Sequence, residues 1–179
     1  SSSSSPSSSA TSATLSSDKV RWTRLPDASV RSALSEDTRR ILEEAWQSDE
    51  ELVGFGGEFF AEPLVQEAHG LVMHHALAWA EGGSLADGPR PGLLLVHTAV
   101  GPQDLWLRWR AQTLASRGYV VLIADLLGDP DGRGWDPAFA GPARQVYVDD
   151  RNLLLLRTRA ALNALAQSPR VDADRLAAV

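Results

Sequence analysis

Residues 91–129 constrain the fold more than any other part of this chain, because two short apolar runs flank a helical pattern there. The runs 93–96 and 119–124 are as expected of strands buried on both faces of a parallel sheet. Between them lies an apolar stripe at helical spacing, which Asp104 can begin as an N-cap and Gly118 can end. Strand, helix and strand in this order predict a parallel strand pair joined by a right-handed crossover.

The segments on either side extend this unit into a mixed sheet. Two strand patterns, 63–68 and 71–80, are separated by His69-Gly70, and the simplest connection between them is an antiparallel hairpin. Downstream, a helix is expected to begin near 144 or 148 and to end at 166, before a third parallel strand over 175–179. The sequence therefore predicts an α/β fold with a mixed, mostly parallel sheet and flanking helices.

The predicted elements divide the chain into three parts. Residues 1–17 are mostly Ser and are expected to form a disordered tail. The alternative is that they are the end of an organellar targeting peptide. The sequence therefore does not predict whether the compartment is cytoplasmic or organellar. Residues 18–60 are expected to form an N-terminal extension with one helix from Ser35 and a loop over 53–60. Residues 61–179 are expected to form the sheet and its helices.

Composition excludes several classes of function. With 44% apolar and 22% charged residues, the 179-residue chain is typical of a soluble globular protein. A net charge of −6 without a Lys or Arg cluster argues against binding nucleic acid or an anionic membrane. No apolar run is long enough to span a membrane. The 179 residues contain no Cys, which excludes disulfides and thiolate metal ligands among them. The loop after 93–96 has one Gly, which argues against a dinucleotide site. The oligomeric state is not predicted.

Three histidines close in sequence do not predict a metal site. His74 and His75 are neighbours on a predicted strand, so their side chains face opposite sides and cannot share one ion. No carboxylate pair flanks them or His69 at ligand spacing. We interpret all three as surface or hairpin residues and expect no metal ion at them.

The candidate site lies where the predicted parallel strands end, because ligands of open α/β sheets bind beyond the carboxyl ends of strands. His97 and Asp125 stand at two such ends, and we favour hydrogen-bonded structural roles for both. Residues 125–142 form a predicted structureless loop of the length that is often functional. Beside Tyr147, Arg144 could bind a substrate carboxylate, pair with Asp149 or lie on a solvated face.

Five sequence blocks, in this order and spacing, carry a resemblance. PRPGLLLVHTAVGPQD, the helix after it, SRGYVVLIADLLGD, GWDP and AALNALAQSPRVDADRLAAV together resemble the dienelactone hydrolase family of the α/β-hydrolase fold, over about residues 64–179. The resemblance implies a hydrolase of carboxylic esters or lactones that takes a small-molecule substrate and needs neither a metal nor an organic cofactor. It also implies an incomplete fold, with the catalytic Cys or Ser, the acid and the histidine all following Val179. No residue of the catalytic triad is then expected in these 179 residues. We expect the isolated 179-residue chain to be poorly soluble or only partly folded.

The resemblance assigns roles to four residues. The backbone N–H of Ala99 is expected to donate to the oxyanion, in an active-site loop that includes His97 and Thr98. Thr98 stands where the family commonly has Glu, so activation that depends on a carboxylate is not expected here. Arg144 corresponds to an arginine that binds substrate carboxylate in some members. A catalytically inactive scaffold or interaction protein remains the alternative.

Overall fold

The computed structural model describes residues 12–15, 19–25, 32, 34–47, 54–68, 70–145 and 149–179. Its strands are β1 (Ser12–Leu15), β2 (Val20–Trp22), β3 (Glu58–Ala68), β4 (Leu71–Glu81), β5 (Arg90–Val96), β6 (Val120–Ala124) and β7 (Val171–Ala178). Its helices are α1 (Glu36–Gln47), α2 (Leu105–Ser116), α3 (Pro137–Ala143) and α4 (Arg151–Ala166), with a 3₁₀ turn over Arg133–Trp135. Within these ranges, no helix combines the length and apolarity needed to cross a membrane.

The strands form one mixed sheet in the order β1-β3-β4-β6-β5-β7, with β2 also paired to β3. The β3–β4 hairpin is antiparallel, and β4 pairs antiparallel with β6. On the other side, β5 pairs parallel with both β6 and β7. The strands β3, β5, β6 and β7 all run in the same direction. The mixed sheet with flanking helices and the hairpin before it are therefore confirmed.

Alternating side chains of the central strands form the core on both faces of the sheet. All of β6 is buried. Its Val120 and Leu122 pack with residues of α4, whereas Val121 and Ile123 pack with residues of α2. Each side chain of this size stabilises the fold by about 1.5–3 kcal/mol when fully buried. A continuous apolar run is thus the pattern that a strand between two helical layers requires.

Helix α2 begins and ends where the sequence predicts. Asp104 accepts the N–H of Trp106 at 3.0 Å as the N-cap, and Gly118 follows the helix with a φ of 92°. One polar residue of this helix, Gln112, is fully buried. Its side-chain oxygen accepts the N–H of Leu25 at 2.8 Å, because the segment before α1 covers this part of the helix.

The N-terminal part differs from its predicted divisions. Ser12–Leu15, inside the expected disordered tail, pair as β1 with the outer side of β3, where Ala13 packs against the core. An edge strand offers free backbone groups to such a segment, which composition alone does not reveal. The predicted end of the loop over 53–60 is also wrong, because β3 begins at Glu58. Phe59 and Phe60 are both buried, so the expected boundary at residues 60 and 61 falls inside a strand.

The expected structureless loop over 125–142 contains the 3₁₀ turn and α3. Asp136 starts α3 by accepting the N–H of Ala138 at 2.9 Å, and Pro137 occupies its first turn. The last helix begins later than expected, at Arg151, because Asp150 caps it. The last strand begins earlier, at Val171, and it is parallel as predicted, with β5 as its partner.

Candidate active site at the carboxyl ends of two strands

The ends of β5 and β6 lie side by side. The two strands are parallel and in register, with Val96 opposite Ala124. The loop that follows Val96 and the turn that follows Ala124 therefore leave the sheet at the same edge. This places His97 and Asp125, the two polar residues at the predicted strand ends, in one neighbourhood.

His97 ties these two connections together. Its Nδ1–H donates to the carbonyl oxygen of Thr98 at 2.8 Å, and its Nε2 accepts the N–H of Leu126 at 3.3 Å. The amide of Leu126 is always a donor, so Nε2 must be unprotonated and the ring neutral. Burial lowers the pKa of His97, against opposing effects of the Thr98 hydrogen bond and the charge of Asp125. Both nitrogens are engaged, which is the hydrogen-bonded structural role that the sequence favoured.

Asp125 organises the turn after β6. Its Oδ1 accepts the N–H groups of Leu127 at 3.0 Å and Gly128 at 3.3 Å, and its Oδ2 accepts that of His74 at 3.2 Å. The backbone of Gly134 packs directly on this carboxylate, since a Cβ there would lie 2.4 Å from Oδ1. The fully buried carboxylate is surrounded by backbone donors, so it shapes the loop as the sequence predicted.

His75 is a site residue whose burial the sequence interpretation did not predict. It lies on β4 of the predicted hairpin, but it is only 2% exposed rather than at the surface. Its Nδ1 accepts the N–H of Asp125 at 3.0 Å, and its Nε2–H donates to Gln66 Oε1 at 3.0 Å. Gln66 in turn donates to the carbonyl of Ala160 in α4 at 2.8 Å. Desolvation, followed by the nearby charge of His74, lowers the pKa of His75 to about 3.

His74, the neighbour of His75 on β4, lies on the other side of the strand. The ring Nε2 of His74 lies 3.2 Å from the carbonyl oxygen of Pro130, on the side opposite to the buried ring of His75. His69 lies outside the described residues. Across the described ranges, no group of three or more His, Asp or Glu side chains is arranged to hold an ion.

A buried arginine in α4 holds the turn from a third side. Arg157 Nη1 donates to the carbonyl oxygens of Leu126 at 2.6 Å and Leu127 at 2.8 Å. Sequence reasoning missed this residue, although helical spacing could have found it. Arg157 lies three residues after Leu154 and four before Ala161, which both belong to the helix face that packs into the core.

The loop after His97 folds into a tight turn. The N–H of Gly101 donates to the carbonyl oxygen of Thr98 at 3.2 Å, and the Thr98 hydroxyl accepts the N–H of Val100 at 3.5 Å. Gly101 has a φ of 102°, and a Cβ there would lie 2.8 Å from the Cβ of Ala140 in α3. Ala99 is exposed at the tip, and no described residue accepts a hydrogen bond from its N–H.

Arg144 is exposed at the end of α3, where its N–H donates to the carbonyl oxygen of Ala140 at 3.2 Å. Of the alternatives left open for it, the pairing with Asp149 is not formed between these two described residues. Asp149 instead accepts a hydrogen bond from Gln145 at 3.1 Å. Tyr147 lies outside the described residues.

A cavity of about 360 Å³ lies at the opposite end of the sheet from this turn, between the end of β4 and the start of β5. Glu81, Arg90 and Arg170 contribute its charged walls. The cavity is therefore separate from the candidate site.

The last residue of the chain continues the register of the sheet. The N–H of Val179 donates to the carbonyl of Leu94 at 2.9 Å, and its carbonyl accepts the N–H of Val96 at 2.9 Å. The end of β7 is therefore level with the end of β5, one residue before His97.

Comparison with known proteins gives two similar solved structures. The first is a dienelactone hydrolase-like promiscuous phosphotriesterase from metagenomic libraries, with 32% identity and a TM-score of 0.58 over 67% of this chain and 48% of that one. The second is a dienelactone hydrolase of Klebsiella pneumoniae subsp. pneumoniae that its structure report assigns provisionally, with 23% identity and a TM-score of 0.45 over 62% of this chain and 45% of that one. No protein-family model and no curated protein matches.

The chain thus spans about half the length of the solved proteins that it matches. The first comparison joins 32% identity to a shared fold, and its 67% coverage of this chain is consistent with a resemblance over part of the chain. The fold is accordingly that of part of an α/β-hydrolase, and the resemblance to the dienelactone hydrolase family is confirmed.

Proposed function

We propose that this chain is the part of a dienelactone-hydrolase-like enzyme that carries the oxyanion-binding loop. The reaction is hydrolysis of a carboxylic ester or lactone bond in a small molecule. The Ala99 N–H is one oxyanion donor, and the catalytic nucleophile, a Cys or a Ser, follows β7. Arg144, exposed at the end of α3, is the residue that we assign to a carboxylate of the substrate.

The register of Val179 carries this proposal. Because Val179 is hydrogen-bonded between Leu94 and Val96, a residue that continues β7 beyond it emerges beside the loop that holds Ala99. Oxyanion holes of this fold combine the N–H after the nucleophile with an N–H from the loop after the third strand of the fold. The pairing of β5 with β7 supports that combination.

The proposed chemistry is acyl transfer in two steps. The Cys sulfur or Ser oxygen adds to the substrate carbonyl carbon, and a histidine accepts the proton of the thiol or hydroxyl. The carbonyl oxygen becomes an oxyanion that accepts hydrogen bonds from Ala99 and from the residue after the nucleophile. Collapse breaks the ester bond, and the histidine protonates the leaving alkoxide. Water then attacks the acyl-enzyme, with the same histidine acting first as base and then as acid.

The described histidines at the site are poor candidates for that base. His75 and His97 each use both ring nitrogens in hydrogen bonds with the protein. This supports placing the catalytic histidine elsewhere in the sequence. Thr98 favours one alternative, an inactive scaffold, because a hydroxyl cannot supply the negative charge of the family's Glu.

The test uses the protein with its natural sequence beyond Val179 and a small activated ester such as 4-nitrophenyl acetate. Ala99→Pro removes the donor, and Ala99→Ser keeps it. Because the Pro variant loses one oxyanion donor, its kcat is expected to fall about 100- to 1,000-fold, whereas the Ser variant keeps the kcat of the unmodified protein. Circular dichroism of both variants checks the fold. Absence of turnover in the unmodified protein, across esters and lactones, favours the inactive scaffold.

A further inference from the structure

We infer that His97 is a positioning residue, whose ring holds the Thr98–Ala99 peptide plane so that the Ala99 N–H points out of the loop. The inference deepens the proposed function and rests on it, because it concerns the same oxyanion donor. It gives a reason for a histidine at this place that does not involve proton transfer.

The argument begins with one peptide unit. The carbonyl oxygen of Thr98 and the N–H of Ala99 belong to the same planar trans peptide, so they point in opposite directions. That carbonyl accepts two hydrogen bonds, from His97 Nδ1–H at 2.8 Å and from the N–H of Gly101 at 3.2 Å. Fixing the carbonyl on one side fixes the N–H on the other. The N–H of Ala99 is consequently directed away from both donors.

The ring that holds this peptide is itself held. His97 Nε2 accepts the N–H of Leu126 at 3.3 Å, and the carbonyl of Leu126 accepts a hydrogen bond from Arg157 at 2.6 Å. The hydrogen bonds therefore connect buried Arg157 of α4, through the turn after β6, to the exposed tip of the loop. Burial lowers the pKa of His97, which favours the neutral ring that the Leu126 contact needs.

Orientation matters because an oxyanion donor acts only when it is aimed at the position where charge develops. A displacement of about 1 Å can cost about 100-fold in rate. A short exposed turn would otherwise sample several peptide orientations. The contacts of His97 remove this freedom before the substrate arrives.

Two substitutions isolate the Thr98 contact in the protein with its natural sequence beyond Val179. His97→Ala removes both ring contacts. His97→Asn also loses the Leu126 contact, but its Nδ2 occupies the place of Nδ1 and can still donate to the Thr98 carbonyl. We expect His97→Ala to lower kcat about 100-fold with little change in KM, and His97→Asn to recover most of that loss. Equal kcat values for the two variants would overturn the inference, as would an Ala variant with full kcat.

A second measurement separates this inference from the proposed function. Residues 98–99 are the one Thr-Ala step in these 179 residues, so ¹³C-carbonyl Thr with ¹⁵N Ala labelling marks the Ala99 amide. The ¹⁵N order parameter is expected near 0.85 in the unmodified protein and His97→Asn, and below about 0.6 in His97→Ala. If no ester is hydrolysed, the proposed function fails, and the order parameters still decide whether His97 holds the peptide. Equal order parameters in all three proteins would refute it.

Discussion

His97, at the end of β5, accepts the backbone N–H of Leu126, in the turn that follows β6, at 3.3 Å. The preceding N–H, that of Asp125, is accepted by His75 of β4 at 3.0 Å. Since β6 lies between β4 and β5 in the sheet, each neighbouring strand supplies one imidazole to one of two consecutive amides. The geometry of the turn therefore depends on two neutral histidines.

This dependence predicts that acid destabilises the protein through His75. In the unfolded chain His75 binds a proton below about pH 6.5, whereas the folded state resists protonation until its pKa of about 3. Between these values the unfolded state holds one more proton, so the free energy of unfolding falls as the pH falls. The expected slope from this residue is about 1.4 kcal/mol per pH unit. Urea titrations between pH 6.5 and 4 measure it.

The control for this prediction is His75→Gln, in which the titrating group is gone. Its unfolding free energy is expected to fall less steeply with acid than that of the unmodified protein. His97 contributes with the same sign, because its pKa is also lowered, but it is present in both proteins. Parallel pH profiles would contradict the assignment to His75.

The arginine on the far side of the turn gives a second prediction. Arg157→Met leaves the buried carbonyl groups of Leu126 and Leu127 without their Arg157 donor, at a cost of about 1–3 kcal/mol for each unsatisfied group. Unfolding in urea is expected to show a loss of at least about 2 kcal/mol. Arg159→Met, on the exposed side of the same helix, is expected to change stability by less than about 0.5 kcal/mol. Similar losses in both variants would show that the contact contributes little.

The sheet could be predicted because its strands and helices follow regular periods. The apolar runs that became β5 and β6, the cap at Asp104 and the end at Gly118 all depend on neighbours within a few residues in sequence. The same holds for the position of His97 and Asp125, since the ends of parallel strands meet at one edge. These features need no knowledge of the tertiary fold.

Long-range polar contacts could not be predicted in the same way. The burial of His75 was not predicted because its partners are Gln66, on β3, and Asp125, in the turn after β6, and only the tertiary fold brings them to its ring. Arg157 is 30 residues or more from the carbonyls that it binds. A charged residue on an apolar helix face was visible in the sequence, but its acceptors were not.

The N-terminal segment gives a third prediction. Gln112 accepts the N–H of Leu25 and donates to the carbonyl of Thr23, which fastens the segment to α2. Gln112→Leu leaves the N–H of fully buried Leu25 without that acceptor, so the segment is expected to open more often. Trypsin cleavage after Arg24 should become about 5-fold faster, as about 1 kcal/mol of local destabilisation implies. Mass spectrometry of the digest measures the rate.

A matched control for this cleavage is Gln167→Leu, which changes an exposed glutamine at the end of α4. Its cleavage rate after Arg24 is expected to equal that of the unmodified protein. If Gln112→Leu is cut no faster than this control, the segment is held mainly by its other contacts, such as the hydrogen bond from Arg108 to Thr23.

A glycine pair tests the turn that presents Ala99. Gly101→Ala puts a Cβ on a backbone with a φ of 102°, and that Cβ would lie 2.8 Å from Ala140. We expect a loss of about 1–3 kcal/mol in unfolding free energy, because the backbone is strained and α3 must shift. Gly141→Ala, at the residue after Ala140 in α3, meets open space in a helix and is expected to be neutral or to stabilise by up to about 1 kcal/mol. Thermal and urea unfolding of both variants measure this, and a Gly101 variant as stable as the Gly141 variant would show that the loop accommodates a side chain by moving away from α3.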